Sequence, residues 1–153
     1  MVSKGLSVIE VLVVIAIIAL LSISMMVYVI PTVNKSRDGR RKSDLHKIAN
    51  ALEEYSNDKG GYPETMTTCG TSATLSPYIN KVPCEPNTKT PYTYVSSNCS
   101  GGFCRSFGLY TILANTHDPD IVKLGCNDAN GCYSAGGKIY TYGVSANGIV
   151  EIN

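Results

Sequence analysis

The sequence has few of the residues that build metal sites and catalytic sites. It contains 2 histidines, His46 and His117, and none of its 6 cysteines lies in a C-x-x-C motif. Structural zinc sites normally use closely spaced pairs of such ligands, so the pattern disfavours zinc. Neither histidine has a plausible nucleophile near it in the sequence, and there is no glycine-rich loop to hold a phosphate. The sequence therefore predicts a protein that is not an enzyme.

An excess of charge is also lacking, because 13 basic residues stand against 12 acidic residues, for a formal net charge of +1. This balance indicates neither an acidic nor a basic partner. The sequence does contain one long apolar run, from Leu6 to Ile30. As a helix this run would rise about 37 Å, enough to cross a hydrocarbon layer of about 30 Å. It predicts a membrane span.

A cleaved secretory signal is the alternative interpretation of this run. Such signals have a short apolar core and a small-x-small cleavage site. Here the run is too long, and "SISMMVYVIP" contains no A-x-A site.

Topology has two conflicting signals. Six basic residues between Lys35 and Lys47 would by themselves keep the following domain in the cytoplasm. The cysteines favour the opposite side.

The cysteines are even in number and all follow the apolar run, which indicates an oxidising compartment. The spacing from Cys99 to Cys104 and from Cys126 to Cys132 suits two local disulfides. Cys69 and Cys84 would then close a third loop. This pairing is one of fifteen that six cysteines allow.

Glu10 is the one carboxylate inside the apolar run. A charged residue there costs about 2–3 kcal/mol at mid-depth, so it indicates a function, with a position at the headgroup level as the alternative. If the chain were cut after Gly5, Leu6 would become the amino terminus and Glu10 its i+4 neighbour on one helix face. Such a cut would give the carboxylate an ammonium partner, in the same chain or in an adjacent one.

The motif "KG" followed by "LSVIEVLVVIAIIALL" resembles the class III signal of type IV prepilins and type II secretion pseudopilins. The resemblance implies that a prepilin peptidase cleaves after Gly5 and that Leu6 is N-methylated, although Leu6 replaces the usual phenylalanine. It also implies that Glu10 neutralises the terminal amine of a neighbouring subunit during assembly. The segments "RDGRRKSDLHKIANALEEYSNDKGGYP" and "LSPYINKVPCEPNTKTPYTYV" resemble the following parts of the same proteins.

The resemblance implies a structural subunit of a pilus or pseudopilus, with copies of itself or related pilins, the peptidase and membrane lipid as its partners. The chain would span the inner membrane once, with its C-terminal domain extracytoplasmic, and then enter an extracellular or periplasmic filament. A non-polymerising, membrane-anchored binding domain is the alternative. The expected divisions are a leader at 1–5, a span at 6–31, an amphipathic helix at 32–61 and a disulfide-stapled head at 62–153.

The residues themselves predict an α+β head. An apolar stripe recurs at steps of three and four on a helix that ends near Lys59, before Gly60 and Gly61. Pro31 and Gly39 predict a kink or a loosened turn. Three to four antiparallel strands should cover the stripe, with a hairpin at Asn147–Gly148. The stripe contains Leu45, Ile48, Ala49, Leu52 and Tyr55, and the predicted strands are 92–96, 107–115, 138–145 and 148–152.

Three further groups of residues have competing interpretations. Strand tyrosines (Tyr92, Tyr94, Tyr110, Tyr140 and Tyr142) could stack on nucleic acid. They more often cover one face of a sheet, so we expect no nucleic-acid partner. The basic group at 35–47 is expected to be a solvated face outside the membrane or to pair with acids of neighbouring subunits, with phosphate contacts as the alternative. Oxygen ligands for calcium are available in Asp118, Asp120, Asn127, Asp128 and Asn130. Their spacing matches no complete calcium motif, and turns rich in Asn and Asp are the alternative. We expect no other cofactor.

Overall fold

The computed structural model describes residues 7–66, 68–123, 126, 131–146 and 148–149. The predicted cleavage and methylation residues, Gly5 and Leu6, lie outside these ranges, as do Asn127, Asp128 and Asn130. The chain divides into two compact units, Met1–Ser36 and Arg37–Asn153. The whole second unit is called the head from here on.

A single long helix, α1 (Val8–Lys59), contains both residues expected to kink or loosen it. Pro31 and Gly39 lie inside it and do not end it. It ends where the sequence predicts. Gly60 has a left-handed φ of 82°, and its N–H donates to the Ser56 carbonyl at 2.8 Å. A glycine in this conformation satisfies one of the last free carbonyls of a helix without a steric penalty.

In the first unit, the apolar side chains of α1 that the structure describes are exposed to the surroundings. Among the described residues, one helix is long and apolar enough to cross a membrane, and none of its most apolar window is buried in the protein. The hydroxyls of Ser22 and Ser24 donate to the carbonyls of Ile18 and Leu20 at 2.8 and 3.1 Å. The two polar groups are therefore satisfied inside the helix.

The second unit is an antiparallel sheet packed on the last third of α1, so the predicted α+β class is confirmed. The strands are β1 (Tyr62–Pro63), β2 (Thr93–Ser100), β3 (Phe103–Thr111), β4 (Tyr133–Ala135), β5 (Lys138–Tyr140), β6 (Tyr142–Ser145) and β7 (Gly148–Ile149). β3 is central. It pairs with β2 along one edge and with β1 and β6 along the other, and β6 pairs with β7. β1 adds a fifth, two-residue strand to the predicted sheet.

The core lies between α1 and one face of this sheet. The predicted stripe residues Leu45, Ile48 and Leu52 are fully buried, as is Leu109 of β3. Leu109 is the register partner of Val144 in β6, which is also buried. Alternate residues of β3 thus reach the helix, as the period of a strand requires. Phe107, Tyr92, Tyr142 and Cys104 extend the same core.

The predicted strand at 138–145 is wrong as a single strand. It divides at Thr141, so that β5 pairs with β4 in a separate two-stranded sheet and β6 joins β3. Thr141 donates its N–H to the Thr111 carbonyl at 3.2 Å, and its Oγ1 accepts the Leu113 N–H at 3.0 Å. These bonds attach the dividing residue to the end of β3. The predicted hairpin is confirmed by the pairing of Ser145 with Gly148.

The three predicted disulfides are confirmed as Cys69–Cys84, Cys99–Cys104 and Cys126–Cys132. Cys99 and Cys104 are register partners in the β2–β3 hairpin, which extends beyond the predicted strand end at residue 96. Its turn consists of Gly101 and Gly102, with φ values of 64° and 86°. Two residues with positive φ form the turn that best matches strand twist.

Candidate functional site

The N-terminal part of α1 presents one carboxylate and no basic side chain in its described first turns. Glu10 is exposed, and its N–H donates to the Ser7 carbonyl at 3.0 Å, which places it in the first turn. Within the described part of the chain, Glu10 has no ion-pair partner. Exposed apolar residues surround it and continue along the helix: Val8, Ile9, Leu12, Ile15, Ile18, Leu21 and Met25.

A second group of charges is buried at the start of the head. Arg41 is only 6% exposed and lies between two carboxylates. Its Nη1 donates to Asp38 Oδ1 at 2.5 Å, while Nε and Nη2 both donate to Glu85 Oε1, at 2.8 and 2.5 Å. Burial by itself would lower the pKa of Arg41, but the bonds to Glu85 and Asp38 outweigh it and raise that pKa. The cation is thus permanent.

Asp38 connects α1 to the chain that follows β3. Its Oδ1 accepts the N–H of Ala114 and its Oδ2 accepts the N–H of Asn115, both at 2.9 Å. Asp38 is 2% exposed, so an unpaired carboxylate here would be costly. The side chain therefore serves as a fixed anchor for the segment between β3 and α2 (Pro119–Lys123).

Glu85 organises the loop that precedes β2. Its Oε2 accepts the N–H groups of Asn87 and Thr88 at 2.7 and 2.5 Å, and the Thr88 hydroxyl at 2.9 Å. Burial would raise the pKa of Glu85, but the bonds from Thr88, Arg41 and Asn87 outweigh it and lower the pKa to about 2. The carboxylate stays charged at any ordinary pH and joins this loop to α1.

Lys42 lies between the two described residues of the predicted calcium group. Its Nζ donates to Asp118 Oδ1 at 2.5 Å and to Asp120 Oδ2 at 2.6 Å, and it lies 5.6 Å from the centre of the Tyr142 ring. Burial would lower the pKa of Lys42, whereas the two carboxylates raise it above its usual value. The hydrogen bond from Lys42 lowers the pKa of Asp120. Among described residues, an ammonium group of the chain itself lies between these two carboxylates and offsets one of their two negative charges.

The predicted basic face at 35–47 is therefore partly internal. Arg41 and Lys42 form ion pairs within their own chain, which corrects the expectation that the whole group faces solvent or neighbouring subunits. The cations that stay exposed are Lys35, Arg37, Arg40 and Lys47. Position on the helix explains this division. Arg41 lies on the buried side of α1, whereas the four exposed cations lie on its exposed side.

The strand tyrosines do not form one platform. Tyr92 and Tyr142 are buried in the core, where their hydroxyls meet Asp44 at 3.1 Å and His46 at 3.2 Å. Tyr110 lies on the other face of β3 and stacks on Tyr133, with ring centres 4.4 Å apart. Tyr140 and Tyr110 line a cavity of about 390 Å³ whose walls also include Arg41, Thr88, Thr93 and Lys138.

Comparison with known proteins adds no relative to this description. The chain matches no family model, no curated protein and no solved structure. Its function must therefore be argued from its own residues.

Sequence reasoning missed the buried ionic group of Asp38, Arg41 and Glu85, although a signal for two of its members is present. Asp38 and Arg41 precede Leu45 at steps of three and four, so they continue the apolar stripe with charged residues. Charges on the core side of a helix predict buried ion pairs. No comparable signal exists for Glu85, because it is 44 positions from Arg41 in the sequence.

Proposed function

We propose that this chain is a structural subunit of a filament of the type IV pilus or type II secretion pseudopilus kind. It is inserted in the inner membrane by the first part of α1, cleaved after Gly5, N-methylated at Leu6 and polymerised through the same helix. A prepilin peptidase and further copies of the chain, or related pilins, are its partners. It carries out no catalysis of its own.

One observation carries the proposal. The described side chains in the apolar part of α1 are exposed, and a single carboxylate lies in the first turn. An apolar helix of this kind requires lipid or other copies of itself around it. In such surroundings Glu10 needs a positive partner, since an unpaired buried charge is strongly unfavourable. The amine that cleavage after Gly5 would create supplies that charge.

Mass spectrometry of the N-terminus tests the proposal, with protein taken from its native membrane fraction. We expect the chain to begin at Leu6 and to be heavier there by one methyl group. A chain that begins at Met1 or Val2 in cells with an active prepilin peptidase would contradict the proposal.

The second candidate is a non-polymerising, membrane-anchored binding domain. The cavity of about 390 Å³ in the head favours it, because ligand sites are concave and combine aromatic with polar groups. This alternative predicts an uncut N-terminus and an anchor that does not depend on Glu10. The same mass measurement therefore separates the two functions.

A further inference from the structure

A row of polar residues runs along the exposed side of α1 in the head. The members, here called the outer stripe, follow one another at steps of three and four, so they share one face of the helix. Every member is exposed. The outer stripe consists of Arg40, Ser43, Lys47, Asn50, Glu54 and Asp58.

The outer stripe has a basic half and an acidic half. Arg40 and Lys47 come first along the helix, and Glu54 and Asp58 follow. The helix dipole does not explain this order, because it favours basic residues near the C-terminal end, where Glu54 and Asp58 lie. Contacts within the head do not explain it fully either. In the part of the chain that the structure describes, Lys47 and Glu54 have no ion pair.

The other two charged members have only weak internal contacts. Arg40 Nε lies 3.9 Å from Asp44 Oδ2, and the Arg40 side chain is 69% exposed. Asp58 accepts the Tyr78 hydroxyl at 2.9 Å in an exposed position. Asp44 is buried, but its long pair with the solvent-exposed Arg40 contributes little to folding. The charges of the outer stripe are therefore available to another molecule.

We propose that the outer stripe is a docking surface for a second copy of the chain, lying parallel and shifted along the helix so that the basic half of one copy faces the acidic half of the other. Lys47 precedes Asp58 by 11 positions, and Arg40 precedes Glu54 by 14. At the rise of an α-helix these separations correspond to a shift of about 16–21 Å. The inference rests on the proposed function, since that function brings parallel copies together.

The charge order favours the shifted arrangement and also disfavours the unshifted one. Two parallel copies in register would place Arg40 against Arg40 and Glu54 against Glu54, and like charges at contact repel. An anionic lipid surface is a weaker occupant, because the acidic half would be repelled by it. The self-complementary pattern fits a second copy of the same surface.

Zero-length crosslinking of the full-length protein in membranes tests the inference. A carbodiimide joins a lysine amine to a carboxylate only when the two groups touch. Lys47 and Asp58 of one copy are about 16 Å apart along α1, which exceeds the reach of their side chains. We expect a Lys47–Asp58 crosslink in mixtures of isotopically light and heavy copies that contains one chain of each kind. The crosslink should disappear in 1 M salt, where charges are screened within about 3 Å.

Charge reversal provides the matched variants. An acidic variant carries Arg40→Glu and Lys47→Glu, and a basic variant carries Glu54→Lys and Asp58→Lys. Each variant alone lacks the amine or the carboxylate that the Lys47–Asp58 crosslink joins, so its dimers are measured by sedimentation velocity in detergent. We expect each alone to lose about tenfold in dimer, because two exposed ion pairs become repulsive contacts. Dimers should return when the two variants are mixed, and also in the variant with all four changes, which reverses the order of charge. Lys81→Glu with Arg105→Glu changes the net charge equally, away from the outer stripe, and should have no effect.

The outcomes separate this inference from the proposed function. If the unaltered chain is processed at Leu6 and self-associates while the acidic, basic and four-change variants associate equally well, the docking surface is wrong and the proposed function stands. If the four-change variant fails although it keeps its disulfides and its protease resistance, the charge order is not what joins the copies. An unaltered chain that neither is processed nor self-associates would overturn both.

Discussion

Arg41 shows how one buried cation organises the head. It bonds to Asp38 on its own helix and to Glu85 from the loop before β2, and Asp38 in turn accepts two backbone N–H groups from the chain after β3. The cation has two carboxylate partners, and the backbone N–H groups satisfy the remaining oxygen sites of Asp38. A buried ionic group is tolerated when all of its members are satisfied in this way. Removing one member would leave its partners buried and unpaired.

Glu85→Gln is expected to lower the free energy of unfolding of the head by about 1–3 kcal/mol at neutral pH, because it removes a charged partner of Arg41. The pKa of Glu85 is lowered from 4.5 to about 2. Between these values the unfolded chain binds a proton that the folded chain does not, so the contribution of Glu85 is complete above pH 4.5 and is lost as the pH falls through about 2.

Urea denaturation of the full-length chain in detergent, followed by near-ultraviolet circular dichroism, measures both effects. The unaltered protein should lose stability over this pH window, and Glu85→Gln should show a flatter dependence. Glu64→Gln is the matched control, since Glu64 is exposed and its side chain has no hydrogen bond or ion pair among the described residues. Equal behaviour of the two variants would contradict the role of Glu85.

At the scale of elements, α1 and the sheet use glycine for opposite reasons. Gly39 lies in a helix with open space around it, where glycine contributes only flexibility to the unfolded chain. Gly143 in β6 lies under the Tyr110 ring, and a Cβ there would be 2.7 Å from Tyr110 Cδ1 and 3.2 Å from the Leu109 carbonyl oxygen. The absent side chain lets Tyr110 lie flat and stack on Tyr133.

The pair Gly39→Ala and Gly143→Ala should therefore shift stability in opposite directions. Gly39→Ala should raise the free energy of unfolding by about 0.5–1 kcal/mol through helix propensity. Gly143→Ala should lower it by about 1–3 kcal/mol, because Tyr110 must leave its position. Thermal unfolding of the two variants beside the unaltered chain measures both. A loss of stability in Gly39→Ala would indicate that the helix is strained at that position.

At the scale of the whole molecule, the two units present different surfaces. The described apolar side chains of the first unit are exposed, whereas the second unit has a buried apolar core and pairs Arg41 and Lys42 with its own carboxylates. The proposed function assigns the first unit to lipid and then to other copies.

Glu10→Ala tests that assignment. We expect the variant to insert in the membrane as well as the unaltered chain, because removal of a charge favours insertion. Incorporation into filaments should fall sharply, since the amine at Leu6 would lose its partner. Carbonate extraction measures insertion and sedimentation of sheared filaments measures assembly. Ser22→Ala, in the same helix, is the control and should assemble normally, and filament yields for Glu10→Ala that match it would exclude the role.

Much of the fold follows from local patterns. The helix end at Lys59, the stripe from Leu45 to Leu52 and the hairpin at Gly148 were all predictable, because period, capping and turn residues act over a few positions. The disulfide pairing was predictable because each bridge closes a short loop, although the sequence left fourteen alternatives. The division of the strand at Thr141 was not predictable. It depends on bonds to the distant residues Thr111 and Leu113.

The sequence by itself determined that this protein has an apolar helix with one carboxylate near its start, followed by an α+β head joined by three disulfides. These features depend on composition and short spacing. The tertiary structure alone decided which partners the internal charges have. It buried Arg41 with Glu85, placed Lys42 between Asp118 and Asp120, and left Lys47 and Glu54 exposed on the outer stripe. The physical reason is that the partner of a charge is set by distance in space, and the folded chain brings together residues that lie far apart in the sequence.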